Sequence, residues 1–212
     1  MRTGTMPRLV ACLVAGLAIM PVATAFALPV TGKKLTITIS PTGKNKVVLK
    51  IKDTLVDSGN LGSAGDPRCV AEGGGGGALR LNDGAGNDLT IPLPCEGWFN
   101  TNGGTGDVNN IDYRYRDTTQ TTCTRVKVIH GRSIGIVCKG PQVAWTLGAA
   151  EGAIDATLRL GSLPIRDCTT FGPSPTRVLR DGSDGRTYRA KDAPRPATCT
   201  SSPSGAFLDV ED

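Results

Sequence analysis

Cys123-Thr124-Arg125-Val126-Lys127-Val128-Ile129-His130-Gly131-Arg132-Ser133-Ile134-Gly135-Ile136-Val137-Cys138 reads as a β-hairpin closed by its own cysteines. Thr124–Ile129 and Arg132–Val137 form the two strands, and His130-Gly131 forms a two-residue turn between them. At the first central position of a type I′ turn His130 needs a positive φ, which His tolerates better than most residues. Cys123 and Cys138 are equidistant from that turn, so they face each other across the ladder with Cα atoms about 4.5–5.5 Å apart. That lies within disulfide reach. Counting from the turn puts them at a hydrogen-bonded pair, the wider kind, so a bulge or another register stays open.

The same alternation recurs in both directions from this hairpin. Leu35, Ile37 and Ile39 alternate with Thr and Ser, and Val47, Leu49 and Ile51 follow the turn Pro41–Asn45. Ala78–Leu81 and Leu89–Leu93 flank Asn82–Asp88, and Val178–Arg180 and Arg186–Arg189 flank Asp181–Gly185. Ile111–Arg116, Val143–Leu147 and Ile154–Leu160 read as further strands. Roughly ten short strands with close turn signals predict an all-β fold, an antiparallel sandwich or barrel-like domain. No window carries a capped 3.6-residue apolar period. The run Gly73–Gly77 reads as a flexible loop.

The beginning of the chain reads as an export signal. Arg2 and Arg8 precede the uncharged stretch Leu9–Ala25, and Ala25-Phe26-Ala27 is a small-x-small cleavage site. Residues 1–27 are therefore expected to leave, with a retained anchor as the lesser reading. The mature chain then holds one domain over 28–199 and a flexible tail over 200–212. Leu9-Val10-Ala11-Cys12 and Leu28-Pro29-Val30-Thr31-Gly32 match lipidation and sorting patterns, but neither stands where such a signal works. Without Arg2 and Arg8 there are 22 basic and 19 acidic residues, a net charge of +3. This is too close to neutral to argue for nucleic acid.

Six cysteines remain after Cys12 leaves: Cys69, Cys95, Cys123, Cys138, Cys168 and Cys199. An even number in an exported chain predicts three disulfides in a secreted or periplasmic protein. Each pair taken in sequence brackets a hairpin, so sequential pairing is expected. No Cys-x-x-Cys occurs and there is a single His, which makes a transition-metal site the weak reading of these cysteines.

Beyond the alternation, Trp98, Asp112-Tyr113-Arg114-Tyr115-Arg116-Asp117, Cys138-Lys139-Gly140, Cys168-Thr169-Thr170-Phe171-Gly172 and Tyr188–Cys199 with its Ala193-Pro194-Arg195-Pro196 recur in a shared order. In this the chain resembles a group of uncharacterised secreted bacterial proteins, over most of residues 66–200. The resemblance implies an all-β exported fold and carries no catalytic residue.

Several patterns bear on chemistry. Gly131-Arg132-Ser133-Ile134-Gly135 matches the nucleophile elbow, but that motif needs a helix after the Ser and a His downstream, and neither is here. Asp83, Asn87 and Asp88, in a Gly-rich turn, form a weak calcium reading against the simpler one of a hairpin turn. Lys33, Lys34, Lys44, Lys46, Lys50 and Lys52 make the first hairpin basic, fit to meet a polyanion such as envelope polysaccharide or lipid headgroups. The plainer reading has these lysines solvate an exposed face and block edge pairing. Trp98, Phe99, Tyr113, Tyr115 and Trp145 form either a sugar platform or, as preferred, core. The leading expectation is a non-enzymatic exported β-domain with a binding or structural role at the cell envelope or outside the cell. Its partner would be a polysaccharide or another surface protein. The second expectation is a secreted glycan hydrolase working through carboxylates, with no pair nominated.

Overall fold

The computed structural model describes residues 27–71, 74–102, 111–117, 119, 123–162, 166–173 and 175–199. Of the expected export signal, residues 1–27, Ala27 alone is described, as the first residue of β1, and the expected tail 200–212 lies outside the described residues. Thirteen strands are found among those described: β1 (Ala27–Pro29), β2 (Gly32–Thr38), β3 (Lys46–Lys52), β4 (Gly77–Asn82), β5 (Asp88–Leu93), β6 (Trp98–Asn100), β7 (Asp112–Tyr115), β8 (Cys123–Ile129), β9 (Ser133–Lys139), β10 (Ile154–Leu160), β11 (Arg166–Phe171), β12 (Arg177–Asp181) and β13 (Thr187–Ala193). One short 3-10 turn, Cys95–Gly97, interrupts them.

The strands form two sheets. The smaller has the order β1-β11-β10-β4-β5, and the larger β12-β13-β2-β3-β9-β8-β7-β6. Every pairing is antiparallel except β1 with β11. The architecture is sandwich-like, not a closed barrel, because each sheet keeps two edges. Alternation puts Leu35, Ile37, Leu49, Ile134, Ile136 and Tyr188 of the larger sheet against Leu79, Leu81, Ile154, Leu158 and Phe171 of the smaller, all buried. Each such side chain contributes about 1.5–3 kcal/mol by leaving water. Trp98 and Trp145 join this core, as the sequence suggested.

The cysteines pair sequentially: Cys69 with Cys95, Cys123 with Cys138, and Cys168 with Cys199. The last bond ties β11 of one sheet to the segment after β13 of the other. Such bonds fit an oxidising environment. Among the described residues no helix is long and apolar enough to cross a membrane.

The central hairpin differs from its sequence reading in one detail. Ile129 pairs with Ser133, so the connection is three residues, His130 to Arg132, not two. Gly131 takes the left-handed conformation at φ 60°, and His130 does not adopt the expected positive φ. A register shift between Cys123 and Arg125 restores the cysteine pairing. The bulge thus absorbs the residue added by the longer turn.

Val143–Leu147 does not pair as a strand. Val143, Trp145 and Leu147 are buried in alternation, but the backbone is held by side chains. The Asn45 Nδ2 group donates to the Val143 carbonyl, and Asn87 both accepts from the Thr146 amide and donates to its carbonyl. Of the glycine run, Gly73 lies outside the described residues and the rest is tied to the chain around it. The Gly76 amide donates to the Pro67 carbonyl at 2.7 Å, and a Cβ on Gly75 would fall 2.2 Å from the Arg68 carbonyl oxygen.

Carboxylates organise the long connection from β3 to β4. Asp66 is fully buried and accepts from the Gly62 and Arg68 amides and from the Arg68 guanidinium. Asp53 accepts from Thr31 and Leu55 amides and from Arg195. Burial opposes its ionisation, but those donors outweigh it and hold the carboxyl well below the usual range.

Candidate functional site

The larger sheet turns one face to the core and the other to solvent. Cross-strand register decides what stands together on the outer face. Starting from edge strand β12, Arg177 lies opposite Lys191, Lys191 opposite Lys34, and Lys34 opposite Lys50. Lys50 then faces Gly135, Gly135 faces Lys127, Lys127 faces Arg114, and Arg114 faces Phe99 on edge strand β6. One row thus crosses all eight strands, with a cation on six of them. Adjacent strands lie about 4.7–4.9 Å apart, so the row presents charges at nearly regular steps, interrupted at Gly135. Parallel to it runs a rank from Arg180 and Arg189 through Thr36, Val48 and Val137 to Arg125. Lys46 and Lys139 stand side by side in the next rank.

The six lysines of the first hairpin divide. Lys34, Lys46, Lys50 and Lys52 stand on the outer face. Lys33 sits at a register shift and is paired to Asp192, and Lys44 lies in the turn. Strands β2 and β3 are interior to the sheet, between β13 and β9, so these lysines do not guard an edge. That overturns the edge-blocking part of the plainer reading. The cations on β7, β8, β9, β12 and β13 were not singled out from the sequence. Arg125 and Lys127 in one hairpin, and Arg189 and Lys191 in another, alternate with buried residues, which was the available signal.

The face is poorly neutralised. Asp112 is shared by Arg114 and Lys127, each at 3.2 Å. Among the described residues Lys34, Lys46, Lys50, Arg125, Lys139, Arg177, Arg189 and Lys191 form no ion pair within 4.0 Å. Burial, followed by the charges of Arg189, Lys50, Lys191 and Lys46, pulls the Lys34 ammonium below its usual value. Like charges placed opposite each other across a ladder destabilise a sheet.

Two depressions open on this face, one at its β6–β8 side and one where the β2–β3 turn meets the end of β9. One, of about 290 Å³, is lined by Phe99, Arg114, Arg116, Arg125 and Lys127. The other, of about 650 Å³, is lined by Lys44, Lys46 and Lys139. Thr124 borders both. Of the five aromatics considered as a sugar platform, Trp98, Tyr113, Tyr115 and Trp145 are buried, and Phe99 alone is exposed, at 44%.

The calcium candidates have other partners. Asp83 Oδ1 accepts from the Ala85, Gly86 and Asn87 amides, Asn87 braces Thr146, and Asp88 holds the buried Arg80 with both oxygens. The turn is closed by its own hydrogen bonds. One group of metal-ligating residue types converges among the described residues, Cys69, Cys95 and Glu96, and its sulfurs are joined in a disulfide.

Ser133 of the nucleophile-elbow pattern begins β9, so a strand follows it where that motif needs a helix. His130 approaches Ser58 Oγ at 3.3 Å and Asp57 at 3.8 Å instead. Behind them Asp167 accepts from the Asp57 amide, and both line a depression of about 10 Å³, about the room of one water and too small for a sugar. Burial first, and then the charges of Asp57 and Asp53, raise the Asp167 carboxyl well above the usual range. A carboxyl raised in the folded state costs stability as pH climbs from the ordinary value of 3.8 through the folded one. Asp167→Asn keeps the acceptor for Asp57 and removes the charge. It is expected to raise the urea midpoint at pH 7 and to leave it unchanged at pH 3, below the ordinary value. An unchanged midpoint at pH 7 would contradict this account.

The fold and the face define a disulfide-stapled β-sandwich with a cationic sheet surface. Comparison with protein-family models, curated proteins and solved structures found no match.

Proposed function

We propose that this protein is a non-enzymatic, exported β-domain that holds a linear polyanion across the outer face of its larger sheet, at the cell envelope or outside the cell. The observation that carries the reading is the row Arg177–Lys191–Lys34–Lys50–Gly135–Lys127–Arg114. A net charge of +3 on the mature chain does not require so many cations on one surface. Their mutual repulsion costs stability, and an extended anionic chain lying perpendicular to the strands relieves it at every step. A solvating role gives no reason for such alignment.

Gly135 supplies the test. It stands at the centre of the row, and a Cβ there meets nothing within 4 Å. Gly135→Glu therefore adds a negative charge without disturbing the core. Binding of polyphosphate to the full chain in about 0.01 M salt, where the screening length is about 30 Å, is expected to weaken roughly tenfold. Gly135→Gln is expected to stay within about twofold of the wild type by the same arithmetic. Equal binding by the Glu and Gln variants, or no retention of polyphosphate by the wild type, would remove the reading.

A further inference from the structure

We infer that the depression beside Phe99 is a subsite for one acidic sugar unit, which makes the preferred polyanion an acidic polysaccharide rather than a sugar-free chain. This rests on the polyanion reading above and names its ligand class. The row is not chemically uniform. Its middle is lysine, a compact point charge on a flexible stem that attracts any anion. Arginine stands at both ends, Arg177 on β12 and Arg114 on β7, and at the β7 end Arg125 and Arg116 flank Arg114 beside Lys127. Arginine presents a planar fork that matches a carboxylate or an ester sulfate or phosphate through two parallel hydrogen bonds. Arg114 already shares Asp112, whereas Arg116 and Arg125 form no ion pair among the described residues.

Phe99 adds what a purely ionic surface does not need. It is directly opposite Arg114 across the β6–β7 ladder, where side chains stand about 4.5–5.5 Å apart at Cβ. Its neighbours Trp98 and Tyr115 turn inward and pack as a tilted pair with ring centroids 5.3 Å apart. Phe99 stays outward because the strand alternates, and it is 44% exposed. An apolar ring beside free guanidinium groups, in a hollow of about 290 Å³, suits a pyranose. The sugar lays its C–H face on the ring and turns its acidic substituent to Arg125 or Arg116. A sugar-free polyanion has no surface for Phe99 and gains from the cations alone.

The experiment compares two probes on the full chain, purified with its disulfides: a polyuronate and polyphosphate of equal charge count. Phe99→Ala is expected to weaken the polyuronate about tenfold and to leave polyphosphate within about twofold. Gly135→Glu is expected to weaken both. Phe99 is exposed, and a matching unfolding midpoint checks that its replacement leaves the fold intact. Polyphosphate binding with no effect of Phe99→Ala on the polyuronate, or with an equal effect on both probes, would overturn the subsite and leave the polyanion reading standing. Failure of the wild type to bind either probe would overturn both.

Discussion

Lys34→Glu is expected to move two properties in opposite directions: weaker polyanion binding and a more stable protein. Lys34 is opposite Lys50 on one side and Lys191 on the other. Reversing its charge turns two repulsive cross-strand pairs into attractive ones. Each is worth roughly 0.2–1 kcal/mol, so the gain in stability is about 1 kcal/mol. For a chain of this size that raises the unfolding temperature by roughly 2–4 °C. The same substitution removes one cation from the row and adds an anion between Lys191 and Lys50. Affinity for polyphosphate in low salt is expected to fall between about tenfold and a hundredfold, a loss of about 1.4–2.8 kcal/mol. Thermal unfolding and a binding titration on the same sample check both. A residue kept only to solvate the sheet would not couple the two, so a stabilised variant with unchanged binding would argue that the face is passive. The effect must also shrink with salt, because the screening length falls to about 3 Å at 1 M.

Gly161→Ala is expected to be the most damaging small substitution. Gly161 follows β10 with φ at 62°, in the left-handed region that an L side chain enters at a cost. A Cβ there would fall 2.1 Å from the Ala64 carbonyl oxygen and 2.8 Å from Gly65 backbone atoms. Those neighbours are main chain and are not free to swing away. The Gly161 amide donates to the Gly76 carbonyl at 2.7 Å, and the Ser162 amide to Ala64 at 2.8 Å. One alanine methyl group thus pries apart three segments: the end of β10, the β3–β4 connection and the glycine run. Conformational strain and overpacking together amount to about 3 kcal/mol. The unfolding temperature is expected to drop by roughly 6–12 °C. Gly135→Ala, where φ is ordinary and the space is open, is the control and is expected to change little.

The candidate site was half legible before the fold was known. Lys34, Lys46, Lys50 and Lys52 are close in sequence and share a hairpin, so their basic character needed no tertiary information. Lys191, Arg177, Lys127 and Arg114 lie 80 to 157 positions from Lys34, and nothing local links them to it. Asp83, Asn87 and Asp88 mark the opposite case. Their residue types suit calcium, but the same oxygens equally suit turn closure, an Arg80 partner and the brace on Thr146. Residue type alone does not choose between a ligand and a hydrogen-bond acceptor.

The sequence alone determined the all-β class, most strand positions and the cysteine partners. Each follows from short-range chemistry: two-residue alternation, glycine and asparagine in turns, and cysteines that bracket hairpins. Even the central hairpin was readable to within one residue of its turn. Tertiary structure decided the rest. Whether Val143–Leu147 joins a sheet depends on which backbone groups it meets, and it meets Asn45 and Asn87 side chains instead of a strand. Which strands lie side by side, and in what register, depends on the packing of two whole sheets around one core. That packing places β13 beside β2 and β9 beside β3, and so makes one cationic row from residues scattered over the chain. A charge on a strand is local information, but its neighbours across the ladder are set by the global minimum of apolar burial.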